Sequence, residues 1–132
     1  MNTAGLKALV GGVVRWFDPR GRQVGTWAFI INRVTALGLT LYLVMHLMVL
    51  STLAFGPSAY DGFIALAKSP LVLAGEFLVV LGGLMHGLNG VRVGVTAFGI
   101  AVPYQKQLFF GLMALALIGG LAFAVRMFGG AG

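Results

Sequence analysis

The sequence predicts an all-α integral membrane protein with three transmembrane helices running up, down and up behind an N-terminal interfacial segment. Three observations predict it. The 132 residues are 59% hydrophobic with a mean hydropathy of +0.98, more apolar surface than a globule of this size buries. Only 9% of positions are charged. The apolar residues also gather into three runs of roughly 20 or more, the length that spans a bilayer. Nine basic and three acidic side chains are too few for a nucleic-acid surface, so the net charge of +6 reads as topology and no nucleic-acid partner is expected. The absence of cysteine removes disulfides, thiolate metal sites, iron–sulfur ligation and covalent haem attachment, so any cofactor must be held by other groups.

Residues 1–26 form the first unit. Leu6, Leu9, Val10, Val13, Trp16 and Phe17 share one face at helical spacing, with Lys7 and Arg15 off it, before the breaker run Asp18-Pro19-Arg20-Gly21. A basic amphipathic segment at the membrane interface is expected, with Trp16 as an anchor. Gly5, Gly11 and Gly12 lower helix propensity and leave a disordered basic tail as the alternative. No signal-peptide core and cleavage site is legible, so the N-terminus is expected to be retained.

Residues 27–132 form the membrane domain. The first span, about 28–55, has a single charge at Arg33 near its start and only His46 as a further ionisable group. The connection 56–68 opens with a Gly-Pro turn and is expected to be external, with an interfacial turn of helix. Ser69-Pro70 is a helix-start signal, Ser69 as N-cap and Pro70 where its missing N–H costs nothing. The second span then runs over about 69–92. A less hydrophobic loop with Pro103 and Lys106 follows, and the third span, about 107–126, stops at Arg126. Lys7, Arg15, Arg20, Arg22, Arg33, Arg92 and Lys106 then fall on one side of the membrane and Lys68 and Arg126 on the other. Positive-inside bias puts the N-terminus in the cytoplasm and the C-terminus outside.

Ionisable groups within a span are costly, so Arg33, His46, Glu76 and His86 hold most of the functional information. One helical turn from His86 lie Gly82 and Gly83 on one side and Asn89 and Gly90 on the other, a face almost bare of side chains on which a flat ligand could lie. The same glycines, with Gly83/Gly87 and Gly90/Gly94 as small-xxx-small pairs, also suit close helix packing. Haem iron ligation by a neutral His86 fits such a strip, and Arg92, six residues nearer the cytoplasm, is placed to meet a propionate. His46 has no such strip. It reads either as the ligand of a second haem nearer the outside or as a neutral histidine bonded to a carbonyl or to Tyr42. The two histidines stand at different depths, so their partner ligands would come from another chain. Met45 and Met48 read as packing. Asn32 and Arg33 at the inner end of the first span offer donors to a propionate or a quinone carbonyl, or Arg33 is a topological anchor. Glu76 is expected to hydrogen-bond locally near the outer interface rather than relay protons.

These residues resemble the cytochrome b membrane-anchor subunits of succinate dehydrogenase, in a family that also contains fumarate reductase anchors. The resemblance covers about Asn32 to Lys106. It rests on NRVTALGLTLYLVMH at 32–46, SPLVLAGE opening the second span, and HGLNGVR at 86–92, which is similar to the family's H-x-x-x-G-[IV]-R signature at His86, Gly90, Val91 and Arg92. It implies a complex in which a flavoprotein oxidises succinate, an iron–sulfur subunit passes electrons on, and two small anchors bind haem b and reduce quinone, ubiquinone or menaquinone. This chain would be one anchor, half of a six-helix bundle, in the cytoplasmic membrane of a bacterium or archaeon, taking no part in succinate chemistry itself. The complex itself could form a higher oligomer. His86 would ligate the haem closer to the cytoplasm, with Gly83 and Gly90 against it and Arg92 and Arg33 by its propionates. His46 would ligate a second haem, as in two-haem members, and Asn32 and Arg33 would face quinone.

The sequence also departs from the family. Its histidine–arginine pair is Asn32-Arg33 here, the serine three residues earlier is Phe29, and the acidic residue five past the signature arginine is Ala97. A fumarate reductase anchor and a haem-free structural anchor are the competing readings. A transporter would need inverted repeats or a polar stripe, and neither is present in the sequence.

Overall fold

In a bilayer, backbone N–H and C=O groups have no water to pair with, so each apolar run satisfies its own as a helix. The computed structural model describes residues 3–17 and 23–130. Among them are α1 (Thr3–Phe17), α2 (Val24–Ser51), α3 (Pro57–Ala67), α4 (Pro70–Ala97) and α5 (Gln105–Gly129), with no strand. Short 3₁₀ turns extend α2 through Thr52–Phe55 and lead into α5 through Val102–Tyr104. Three segments are long and apolar enough to cross a membrane, Val24–Phe55, Pro70–Ala97 and Val102–Gly129. This is the all-α, three-span architecture the sequence predicts.

The ends differ from expectation. α2 begins at Val24, inside the stretch assigned to the interfacial segment. α4 runs to Ala97, past the expected stop at Arg92, because nothing in VGVTA breaks a helix. It ends in a Schellman motif: Ile100 N–H bonds the Val95 carbonyl at 3.2 Å and Gly99 N–H the Thr96 carbonyl at 3.0 Å, with Gly99 at φ +77°. The connection between the first two spans holds an 11-residue helix, α3, rather than a single turn. Gly56 at φ +104° turns the chain into it and Pro57 occupies its first position. Ser69 is the N-cap of α4, through its backbone alone: the Leu73 N–H reaches its carbonyl, and its side chain makes no capping bond. In α1, Leu6, Leu9, Val10 and Val13 are exposed. The side chain of Trp16 and the breaker run at 18–21 lie outside the described residues.

α4 is the central helix, packed on α2 and on α5. The α5 contact depends on missing side chains. A Cβ at Gly120 would stand 2.8 Å from Leu81 Cδ1, and one at Gly119 would stand 3.3 Å from Leu84 Cδ1. Nearby, Phe109 and Met113 of α5 and Ala28 of α2 form a small core against which Met85 of α4 packs. Elsewhere large apolar side chains face outward, Leu71 at 84% and Leu37 at 72% among them, as a lipid- or protein-covered surface requires. α3 lies by the ends of α2 and α4 that it connects.

Candidate functional site

The polar residues of α4 converge on its contact with α2. The His86 ring meets α2 edge-on through Nδ1, 3.2 Å from the Asn32 carbonyl oxygen and 3.3 Å from Thr35 Oγ1. Thr35 Oγ1 in turn lies 2.7 Å from the Ile31 carbonyl and 3.2 Å from that of Asn32. No described residue bonds Nε2. Thus Asn32 touches the histidine through its backbone, while its side-chain Oδ1 is buried with no partner among the described residues.

One turn further in, Asn89 is 1% exposed, the one buried polar residue among those described. Both ends of its amide are engaged: Nδ2 donates to the Ala28 carbonyl on α2 at 3.2 Å, and Oδ1 accepts from Arg92 Nε at 3.0 Å. The Arg92 guanidinium carbon also sits 5.7 Å from the centre of the Phe109 ring, within cation–π range. Asn89, Arg92 and Phe109 therefore join α2, α4 and α5 at the end of the bundle away from α3. Arg92's terminal amino groups remain without a bond among the described residues.

The glycines around His86 divide into two groups. Gly82 and Gly83 face α2, where a Cβ would come 4.0 Å from Thr35 Cγ2 and 3.9 Å from Leu39 Cδ2. Gly87, Gly90 and Gly94 have open space around them. The bare strip thus serves helix approach on one side and stays uncovered on the other.

Arg33 does not join this junction. Two residues before Thr35 puts it about 160° around α2 from the α4-facing side. There its guanidinium carbon lies 5.0 Å over the Phe29 ring, and the residue is exposed.

His46 occupies a second place. Its Nδ1 is 3.4 Å from Tyr42 Oη and the two rings stack with centres 5.4 Å apart. It lines a groove of about 660 Å³ between the halves of α2 and α4 nearest α3 and roofed by α3, together with Tyr42, Tyr60, Phe63, Gly75 and Glu76. Antiparallel pairing of Asn32 with His86 puts His46 level with about residue 72, so the histidines are separated by about 20 Å along the bundle at 1.5 Å per residue. They cannot share one ligand, and among the described residues no three His, Cys, Asp or Glu groups converge to cage a metal ion.

Sequence reasoning singled out His86, Arg92, Asn32 and His46, but it passed over Thr35 and Phe109. Thr35 lies three residues after Asn32, on the face that a pairing register through His86 would have exposed.

The comparisons with known proteins agree on a family. Residues 19–125 match the succinate dehydrogenase/fumarate reductase transmembrane subunit family. The succinate dehydrogenase 2 membrane subunit SdhC of Mycobacterium tuberculosis is 29% identical over 84 residues, which is 64% of this chain and 62% of that protein. The chain thus spans a little under two thirds of that relative's length. The succinate dehydrogenase hydrophobic membrane anchor subunit of Halobacterium salinarum is 27% identical over 110 residues, 83% of this chain and 82% of that one. With the family match covering all three spans up to Val125, the chain belongs to the succinate dehydrogenase/fumarate reductase transmembrane subunit family.

Proposed function

We propose that this chain is a haem b-binding anchor of a succinate:quinone oxidoreductase, handing electrons from an iron–sulfur subunit to ubiquinone or menaquinone. The observation that carries the reading is His86, held through Nδ1 with Nε2 unengaged, beside the open glycines Gly87 and Gly90. A neutral imidazole anchored through one nitrogen and free at the other is what an axial haem ligand needs. Haem b bound there supplies a one-electron carrier between the iron–sulfur subunit and quinone. His86 binds and orients it, Gly90 leaves room, and Arg92 offers its free amino groups to a propionate. The buried Oδ1 of Asn32 has an unmet need for a donor, which a hydroquinone hydroxyl would fill, with Arg33 on the outward side of the same turn. A second anchor subunit would supply the opposing ligands and complete the six-helix bundle. A flavoprotein would complete the complex on the cytoplasmic side, the side assigned to the N-terminus and to α1 at the lipid interface.

A second haem at His46 is supported by the 660 Å³ groove and by the free Nε2 that the Tyr42 contact leaves on that ring. In the fumarate reductase reading the same residues do the same work with electrons running the other way.

The test is a pyridine haemochrome count on the detergent-purified complex with its succinate-reduced spectrum, for wild type, His86→Ala and His46→Ala. Haem lost in His86→Ala with the complex intact is the expected result. A second haem lost only in His46→Ala assigns the outer site. An intact, succinate-oxidising complex without haem would leave a purely structural anchor.

A further inference from the structure

Thr35 has no role assigned from the sequence, yet among the described residues it supplies the one side chain within hydrogen-bonding distance of the His86 ring. Its hydroxyl has a single proton. Two carbonyl oxygens compete for it, Ile31 at 2.7 Å and Asn32 at 3.2 Å, and a threonine hydroxyl bonded to the carbonyl four residues back is an ordinary helical arrangement. Whichever carbonyl takes the proton, Oγ1 turns a lone pair towards His86. Nδ1 therefore faces two acceptors, Oγ1 at 3.3 Å and the Asn32 carbonyl at 3.2 Å. An N–H on Nδ1 satisfies both as a three-centre bond. The other tautomer would set the Nδ1 lone pair against the carbonyl's lone pairs, and would recover one contact only if Thr35 gave up its shortest bond.

The Thr35 rotamer is itself held. A β-branched side chain in a helix has little freedom at χ1, and its methyl lies over Gly82, where a Cβ would already be at 4.0 Å. Gly82 thereby leaves room for the methyl while the hydroxyl faces the histidine.

From this geometry we infer that Thr35 is a positioning residue for the iron ligand: together with the Asn32 carbonyl it holds the proton of His86 on Nδ1, sets the ring plane, and leaves Nε2 as the atom presented to iron. The inference rests on the haem reading above and deepens it. By accepting from Nδ1–H the hydroxyl also makes the imidazole a stronger donor, which favours ferric over ferrous haem. Removing it leaves Nδ1–H to the Asn32 carbonyl alone, which raises the haem midpoint potential and weakens haem binding.

The experiment is an optical redox titration, with low-temperature EPR of the oxidised haem, on the purified complex carrying Thr35→Val, Thr35→Ala or Thr35→Ser. Valine keeps the shape and loses the acceptor; alanine serves the same purpose should valine impair assembly; serine restores the hydroxyl. The expected result is an upward shift of the midpoint potential and altered EPR g-values in Thr35→Val and Thr35→Ala, with Thr35→Ser close to wild type. Wild-type potential and g-values in the valine or alanine variant would overturn the inference while leaving haem binding intact. A serine variant that behaves like valine would also overturn it, since shape and not the hydroxyl would then be at work. A wild-type complex without haem would sink the haem reading itself, and this inference with it.

Discussion

Asn89 holds two helices together with one amide, and its removal has a definite cost. Asn89→Leu deletes the bond to the Ala28 carbonyl and leaves Arg92 Nε without its acceptor. Interhelical hydrogen bonds in membranes are worth about 0.5–2 kcal/mol, so a lower midpoint in thermal unfolding of the detergent-solubilised complex is expected, with a loss of that order. Arg33 should behave differently. It lies on the far side of α2 from His86, so Arg33→Ala is expected to keep haem content and optical spectrum while raising KM for quinone. A joint loss of haem would contradict that placement. At this scale the sequence was partly legible. The spacing in HGLNGVR put His86 and Arg92 in view, because an ionisable group in a glycine-bare span has few structural excuses. Thr35 stayed hidden, since a threonine in an apolar helix gains its meaning from the residue opposite, and that depends on the pairing register of two helices. The Asn32 contact with His86 stayed hidden for the same reason: it runs through the carbonyl, which every residue has.

For the elements, the three spans were legible from hydropathy because length and composition alone decide what crosses a bilayer. Their ends were not. α4 outruns Arg92 since Gly94 and Thr96 do not stop a helix, and the true stop is the Gly99 turn. The Gly56-Pro57 pair that marked a loop is equally a helix start, and α3 follows it. The α4–α5 seam gives the element-scale prediction. Leu81 lies against Gly120 so closely that Gly120→Ile must push the helices apart, and overpacking of this kind costs about 1–3 kcal/mol. Reduced thermal stability and lower yield of assembled complex are expected, measured by size-exclusion profile and melting of the purified sample. Unchanged melting would mean that the seam repacks freely.

At the scale of the whole molecule, three spans set the two termini on opposite sides of the membrane, and the distribution of basic residues predicts a cytoplasmic N-terminus. A chain with no native cysteine makes this easy to read. Gly129→Cys is expected to react with a membrane-impermeant maleimide in intact cells, and Thr3→Cys only after permeabilisation. The reverse pattern would invert the topology and, with it, which histidine lies nearer the cytoplasm. The architecture also has a mechanical side. All the described polar ties between α2 and α4, at Ala28–Asn89 and at Asn32 and Thr35 with His86, lie in the half away from α3, and the half nearest α3 parts around a groove. Two fasteners a turn apart stop the helices sliding and rolling at one end, so the pair works like a sprung peg whose jaws open towards α3.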